Sequence, residues 1–153
     1  MSAMNRRGML VGAMTLAGAM AVLAGCSQMK QMVGGGGGPS QNVALSGSNE
    51  VPPVTTSAAG SGTVTVNADR TVSARITVTG MNATAAHIHE AASGANGPVI
   101  VPFTKSGDNV FVAPEGAKMT EAQYAAYKNG NTYVNVHSAK NPPGEVRAQL
   151  KGN

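Results

Sequence analysis

Tryptophan is absent, cysteine occurs once, and histidine occurs three times in 153 residues. A single cysteine closes no disulfide within the chain, which excludes a small fold held together by bridges. The aromatics are only Phe103, Phe111, Tyr124, Tyr127 and Tyr133. No run of basic residues accompanies them, so neither base stacking nor phosphate contact has a platform, and nucleic acid is not an expected partner. The formal charge of +4 includes Arg6 and Arg7, which fall in a segment expected to be removed. Nine basic side chains then face seven acidic ones. No GxSxG, CxxC or GxxxxGK is present, and Gly34 to Gly38 is not followed by the strand and helix of a nucleotide loop. No enzymatic activity is expected on these grounds.

Residues 1–25 read as a secretory signal. Arg6 and Arg7 precede a run of small and apolar residues from Gly8 to Leu23, about 16 residues where a membrane span needs roughly 20. The run ends in Leu23-Ala24-Gly25-Cys26, which resembles a bacterial lipobox, so Cys26 is the expected lipidation site and first residue of the mature chain. Arg6-Arg7 also resembles the twin-arginine pair, although Gly8-Met9-Leu10 is a poor match to the rest of that export motif. Residues 26–40, with the glycines Gly34 to Gly38, form an expected flexible tether with a reach of roughly 20 Å. The chain is therefore expected in the bacterial cell envelope, held to the membrane by lipid on Cys26. Ser27 in place of an aspartate favours the outer membrane, with the domain in the periplasm or at the surface.

Residues 41–153 suit one domain with β patterning. Val72, Ala74, Ile76 and Val78 alternate with Thr71, Ser73, Arg75 and Thr77, the period of a strand with one face buried. Val64 and Val66 alternate similarly, and Asn67 to Arg70 supplies a turn, which predicts a hairpin. Val99 to Val101 and Val110 to Val112 read as two further strands paired with each other. Glu50 to Val54 reads as an edge-strand bend, because Pro52 and Pro53 offer no ladder donor. One helix is expected over Thr120 to Lys128, with Thr120 and Gln123 at capping-box spacing and Asn129-Gly130 as its stop. The expected fold is all-β: an antiparallel sandwich or barrel with one short inserted helix.

The polar faces of the strands carry the chemistry. In His87-Ile88-His89 both imidazoles project to one side if Ile88 enters the core. In Thr132 to His137, Val134 and Val136 alternate with Tyr133, Asn135 and His137; after Asn141-Pro142-Pro143-Gly144, Val146 and Ala148 alternate with Glu145 and Arg147. A turn centred near Asn141 puts His137 opposite Glu145 and Asn135 opposite Arg147, a cluster able to orient a ligand histidine. Two readings stay open. His87, His89 and His137 hold copper or zinc, with Asn135, Glu145 and Arg147 behind them, or the histidines sit at the surface and brace loops. Gly94 and Gly97 bracket the loop after the first pair, either as turn residues or so that it closes over an ion.

The segments "LSGSNEVPPV", "AAHIHEAASGANGPVIVPF" and "GNTYVNVHSAKNPPGEVRAQL" together resemble the chordin-type (CHRD) domain over about Val43 to Leu150. The resemblance implies an extracytoplasmic β-sandwich, usually without an assigned catalytic activity. Ala148 stands where that family often has glycine. A more distant likeness links "AHIHE" to the copper strand of copper/zinc superoxide dismutase. It implies His87 and His89, with His137, as copper ligands and a redox activity, but the chain has no histidine or cysteine left for that family's zinc site and disulfide. A non-enzymatic binding module, with an envelope protein or polysaccharide as partner, is the expectation; a purely structural or protein-interaction domain and a copper-dependent redox enzyme are the alternatives.

Overall fold

The computed structural model describes residues 38–152, so the expected signal, Cys26 and most of the tether lie outside the described residues. Among the described residues, nine strands and one α-helix occur in the order β1 (Ser40–Ser46), β2 (Ala59–Val66), β3 (Val72–Thr79), β4 (Ala83–Glu90), β5 (Val99–Pro102), β6 (Thr104–Gly107), β7 (Val110–Val112), α1 (Glu121–Lys128), β8 (Thr132–Ser138) and β9 (Val146–Gln149). All pairings are antiparallel, in the order β5-β4-β8-β9-β1-β2-β3-β7-β6.

Phe103 is the only residue between β5 and β6, which stand at the two ends of that order. The chain itself therefore ties the sheet's edges together, and the sheet must curl. Phe103 N–H donates to Ala86 O of β4 at 3.0 Å, which fixes the crossing. The outcome is an all-β antiparallel fold, nearly closed into a sandwich-like barrel around one apolar core. Val64, Ile76, Ile88, Val134, Val136 and Val146 are fully enclosed there. Each such side chain contributes about 1.5–3 kcal/mol by leaving water.

Local signals are realised where both faces of a strand have a simple environment. On β3, Val72, Ile76 and Val78 are buried and Ala74 is half-buried, while Ser73, Arg75, Thr77 and Thr79 are exposed. The hairpin with β2 closes at Val66 opposite Val72. Helix α1 begins with a complete capping box: Thr120 Oγ1 accepts from Gln123 N–H at 3.2 Å, and Gln123 Oε1 accepts from Thr120 N–H at 2.8 Å. Gly130, at φ 72°, ends it.

Two expectations need correction. The runs at Val99 and Val110 do not pair with each other. Val101 lies opposite Ile88, so β5 adds to β4, whereas β7 pairs with β3 and with β6. The turn at Asp108-Asn109 joins β6 to β7, and β6 is a strand beyond those expected from the sequence. Glu50 to Val54 is no edge strand either; it lies in the connection between β1 and β2, with a cis Val51-Pro52 peptide.

That connection covers something. On β8, Thr132 to Val136 are all buried, so the face opposite the core is enclosed as well. Segments 47–54, 91–98 and 141–144 lie over it and are tied to it by hydrogen bonds. Asn49 Nδ2 donates to Arg147 O at 3.1 Å, Arg147 to Ala95 O at 2.9 Å, and Gln149 Nε2 to Ala91 O at 3.0 Å. Asn96 Nδ2 donates to Val51 O at 2.6 Å and joins two of these loops directly. Beneath them lies a second, polar interior.

Candidate metal centre

The register of β4, β8 and β9 sets the site. His87 lies opposite Asn135 and His89 opposite Tyr133, while Ala85 faces His137. Asn135 in turn lies opposite Arg147, in the register expected of the hairpin. Ile88 is fully buried on the core side, so both imidazoles of β4 point to the polar interior with Tyr133, Asn135, His137 and Arg147.

The three histidines meet there. Their ring centroids are 4.8 Å apart for His87 and His137, 5.5 Å for His87 and His89, and 6.0 Å for His89 and His137. One ligating nitrogen from each lies within 4.8 Å of the other two. Nitrogens bound at 2.0–2.1 Å to one ion stand about 3–4 Å from each other. His87 Nδ1 and His137 Nε2 are 2.9 Å apart and share a hydrogen bond, His87 Nδ1–H donating to His137 Nε2, so an ion bound by both would take the place of that proton.

Their hydrogen bonds to backbone carbonyls fix which nitrogens carry the protons. His89 Nδ1–H donates to Gly97 O at 2.9 Å, and His137 Nδ1–H donates to Pro142 O at 2.8 Å. A carbonyl can only accept, so each bond places the proton on Nδ1 and leaves the lone pair of the neutral ring on Nε2. Gly97 reaches His89 because it has no side chain: a Cβ there would stand 1.8 Å from Glu90 O. Burial pushes the His87 pKa down to about 4, with His137 and His89 adding to the effect. Burial also lowers that of His89, against the pull of Gly97 and Asn135. Both rings are thereby held in the neutral form that ligates a metal.

Behind the histidines runs a stack. Tyr133 lies parallel to His89, with centroids 4.9 Å apart and planes at 8°, and the Arg147 guanidinium rests 3.3 Å from the centroid of the Tyr133 ring. Tyr133 is 3% exposed and Arg147 1%. Arg147 also donates to Asn96 Oδ1 and Gln149 Oε1, each at 3.2 Å. This stack holds the His89 plane fixed.

Glu145 takes a different place from the one expected opposite His137. Strand pairing stops at Val136 opposite Val146, and Glu145 follows Gly144, whose φ is 143°. Its carboxylate accepts from Ser138 Oγ and, at 2.7 Å, from Thr56 Oγ1, so it turns away from His137. Burial alone would raise its pKa, but hydrogen bonds from Ser138 and Thr56 outweigh this and hold it low.

The carboxylate that joins the polar interior is Glu50, which no pattern in the sequence singles out. It is 5% exposed, and burial pushes its pKa up to about 7 against the attraction of Arg147 and a hydrogen bond from Asn135. A Cβ on Gly144 would stand 2.6 Å from both Glu50 Oε1 and Asn135 Nδ2, so the glycine is what lets this loop close over them. The one signal in the sequence is Glu50 itself, an acid next to Val51-Pro52-Pro53 in a domain with few charges.

The family model of the CHRD domain matches residues 41–150. No curated protein and no solved structure matches the chain.

Proposed function

The chain belongs to the CHRD domain family, and from that premise we propose that it is a lipid-anchored binding module of the bacterial envelope, without catalytic activity, that holds one copper or zinc ion at His87, His89 and His137. The observation that carries this reading is the pair of Nδ1–H bonds to Gly97 O and Pro142 O. They make Nε2 the lone-pair atom of His89 and of His137, the latter 2.9 Å from His87 Nδ1, and such an orienting hydrogen bond is what ligand histidines almost always make. The anchor rests on Leu23-Ala24-Gly25-Cys26, and Ser27 favours the outer membrane.

Elemental analysis tests it. The domain from Gly38 onward, purified without a histidine tag, is exposed to equimolar copper and zinc and then desalted. Near-stoichiometric metal that disappears in His87→Ala is the expected result. Metal-free protein of unchanged stability refutes the reading.

The same two hydrogen bonds favour a second reading, because they also pin segments 91–98 and 141–144 to the sheet. Here the domain is structural or binds an envelope protein or polysaccharide through those loops. It requires that a chelator change neither stability nor partner binding.

A further inference from the structure

We infer that the side-chain oxygen of Asn135 is a fourth donor at the histidine site, which makes it a closed centre of three nitrogens and one oxygen for a divalent cation; this rests on the metal reading above. Asn135 is 2% exposed, so its amide must find partners inside the protein. Its orientation is set by two acceptors on one side. Nδ2 donates to Pro143 O at 3.4 Å, and it shares with Glu50 Oε1 the space left by the missing side chain of Gly144. Turning the amide round would set its oxygen against those oxygens.

Oδ1 is therefore left on the side of His89, its diagonal neighbour across β4 and β8, and it has no hydrogen-bond partner. His89 Nε2 is likewise buried and unpartnered, because the ring's proton is committed to Gly97 O. Two lone pairs thus face one enclosed space with no donor between them. An unpartnered buried acceptor is a rare and unfavourable feature. A cation satisfies both at once, and by taking the place of the proton between His87 Nδ1 and His137 Nε2 it would gain their nitrogens, which lie within 4.8 Å of that of His89.

The donor set says which cation. Three imidazoles and an amide oxygen, with no sulfur, suit Zn²⁺ or Cu²⁺ and disfavour the softer Cu⁺. Four protein donors leave no open position, the pattern of a site that holds its metal rather than one that activates water.

The test uses the full chain in detergent micelles, labelled with ¹⁵N and titrated with zinc alone. One equivalent is expected to move the Asn135 Nδ2H₂ resonances in slow exchange while those of Asn42 and Gln123 stay. Zinc affinity is expected to fall on the order of tenfold or more in Asn135→Ala, and to be kept in Asn135→Asp, which retains an oxygen donor. Zinc that binds the wild-type chain without moving the Asn135 resonances overturns the inference and leaves the three-histidine site standing, whatever the variants do. Wild-type chain that takes up no zinc overturns both. Should Asn135→Ala fail to fold, the resonances of the wild-type chain decide alone.

Discussion

Replacing Arg147 with methionine should destabilise the domain by about 3–5 kcal/mol, the usual cost of removing one partner from a buried charged cluster. The side chain is 1% exposed and donates to Ala95 O, Asn96 Oδ1 and Gln149 Oε1. Methionine keeps most of the stem but none of the fork, so three acceptors lose a charged donor, and Tyr133 loses the guanidinium 3.3 Å from its ring centroid. Hydrogen bonds to charged groups are worth about 1.5–3 kcal/mol each. They do not simply add, because Ala95 and Asn96 lie in a loop that can turn partly to water. Glu50 would meanwhile lose the cation that opposes its burial. Urea unfolding followed by circular dichroism measures the change, and a melting temperature lower by about 12–20 °C should accompany it. Arg147→Lys keeps the charge without the fork and should fall between the two. In a double-mutant cycle, Glu50→Gln should recover at least about 1 kcal/mol of the Arg147→Met loss. An Arg147→Met domain within about 1 kcal/mol of wild type, or strictly additive Arg147 and Glu50 variants, would refute the account of the polar interior.

Two further outcomes concern the same region. Glu50 has its folded pKa raised from an ordinary 4.5 to about 7. Its contribution is therefore complete below pH 4.5 and lost as pH rises to 7, so Glu50→Gln should gain on wild type across that window, by up to about 3 kcal/mol at 1.36 kcal/mol per pH unit; a difference between the two that stays flat from about pH 4 to 8 would contradict it. Gly144→Ala should cost about 2 kcal/mol or more, read from the urea midpoint, since φ is 143° and the new methyl would press on Glu50 and Asn135. A neutral effect would mean that the loop is free to lift.

How much of this was legible in the sequence depends on whether the deciding contact was local. The capping box of α1 lies within four residues, and the alternation along β3 needs only a core on one side and water on the other. Both could be read directly. The partner of β5 could not, because it depends on the closure at Phe103, a property of the whole sheet order. The site divides in the same way. Alternation put His87, His89, Asn135, His137 and Arg147 on polar faces, and the hairpin register aligned Asn135 with Arg147. It failed for Glu145, which lies one residue outside β9 and so is not governed by the pleat, and it was silent on Glu50, which comes from a loop with no period at all. Nor could it reveal that the polar face is covered, since the covering segments are distant in sequence.

That covering bears directly on function. A guanidinium, an amide and the imidazole of His89 have been taken out of water, and a surface needed only for solubility gains nothing from that. Loop carbonyls offset most of the desolvation: Ala95 O serves Arg147, Gly97 O serves His89 and Pro142 O serves His137. Where the histidines meet, the balance is incomplete at His89 Nε2 and Asn135 Oδ1, two buried acceptors without a donor. Both lie at the proposed cation site, and the proposed cation would supply the positive charge that this part of the network lacks.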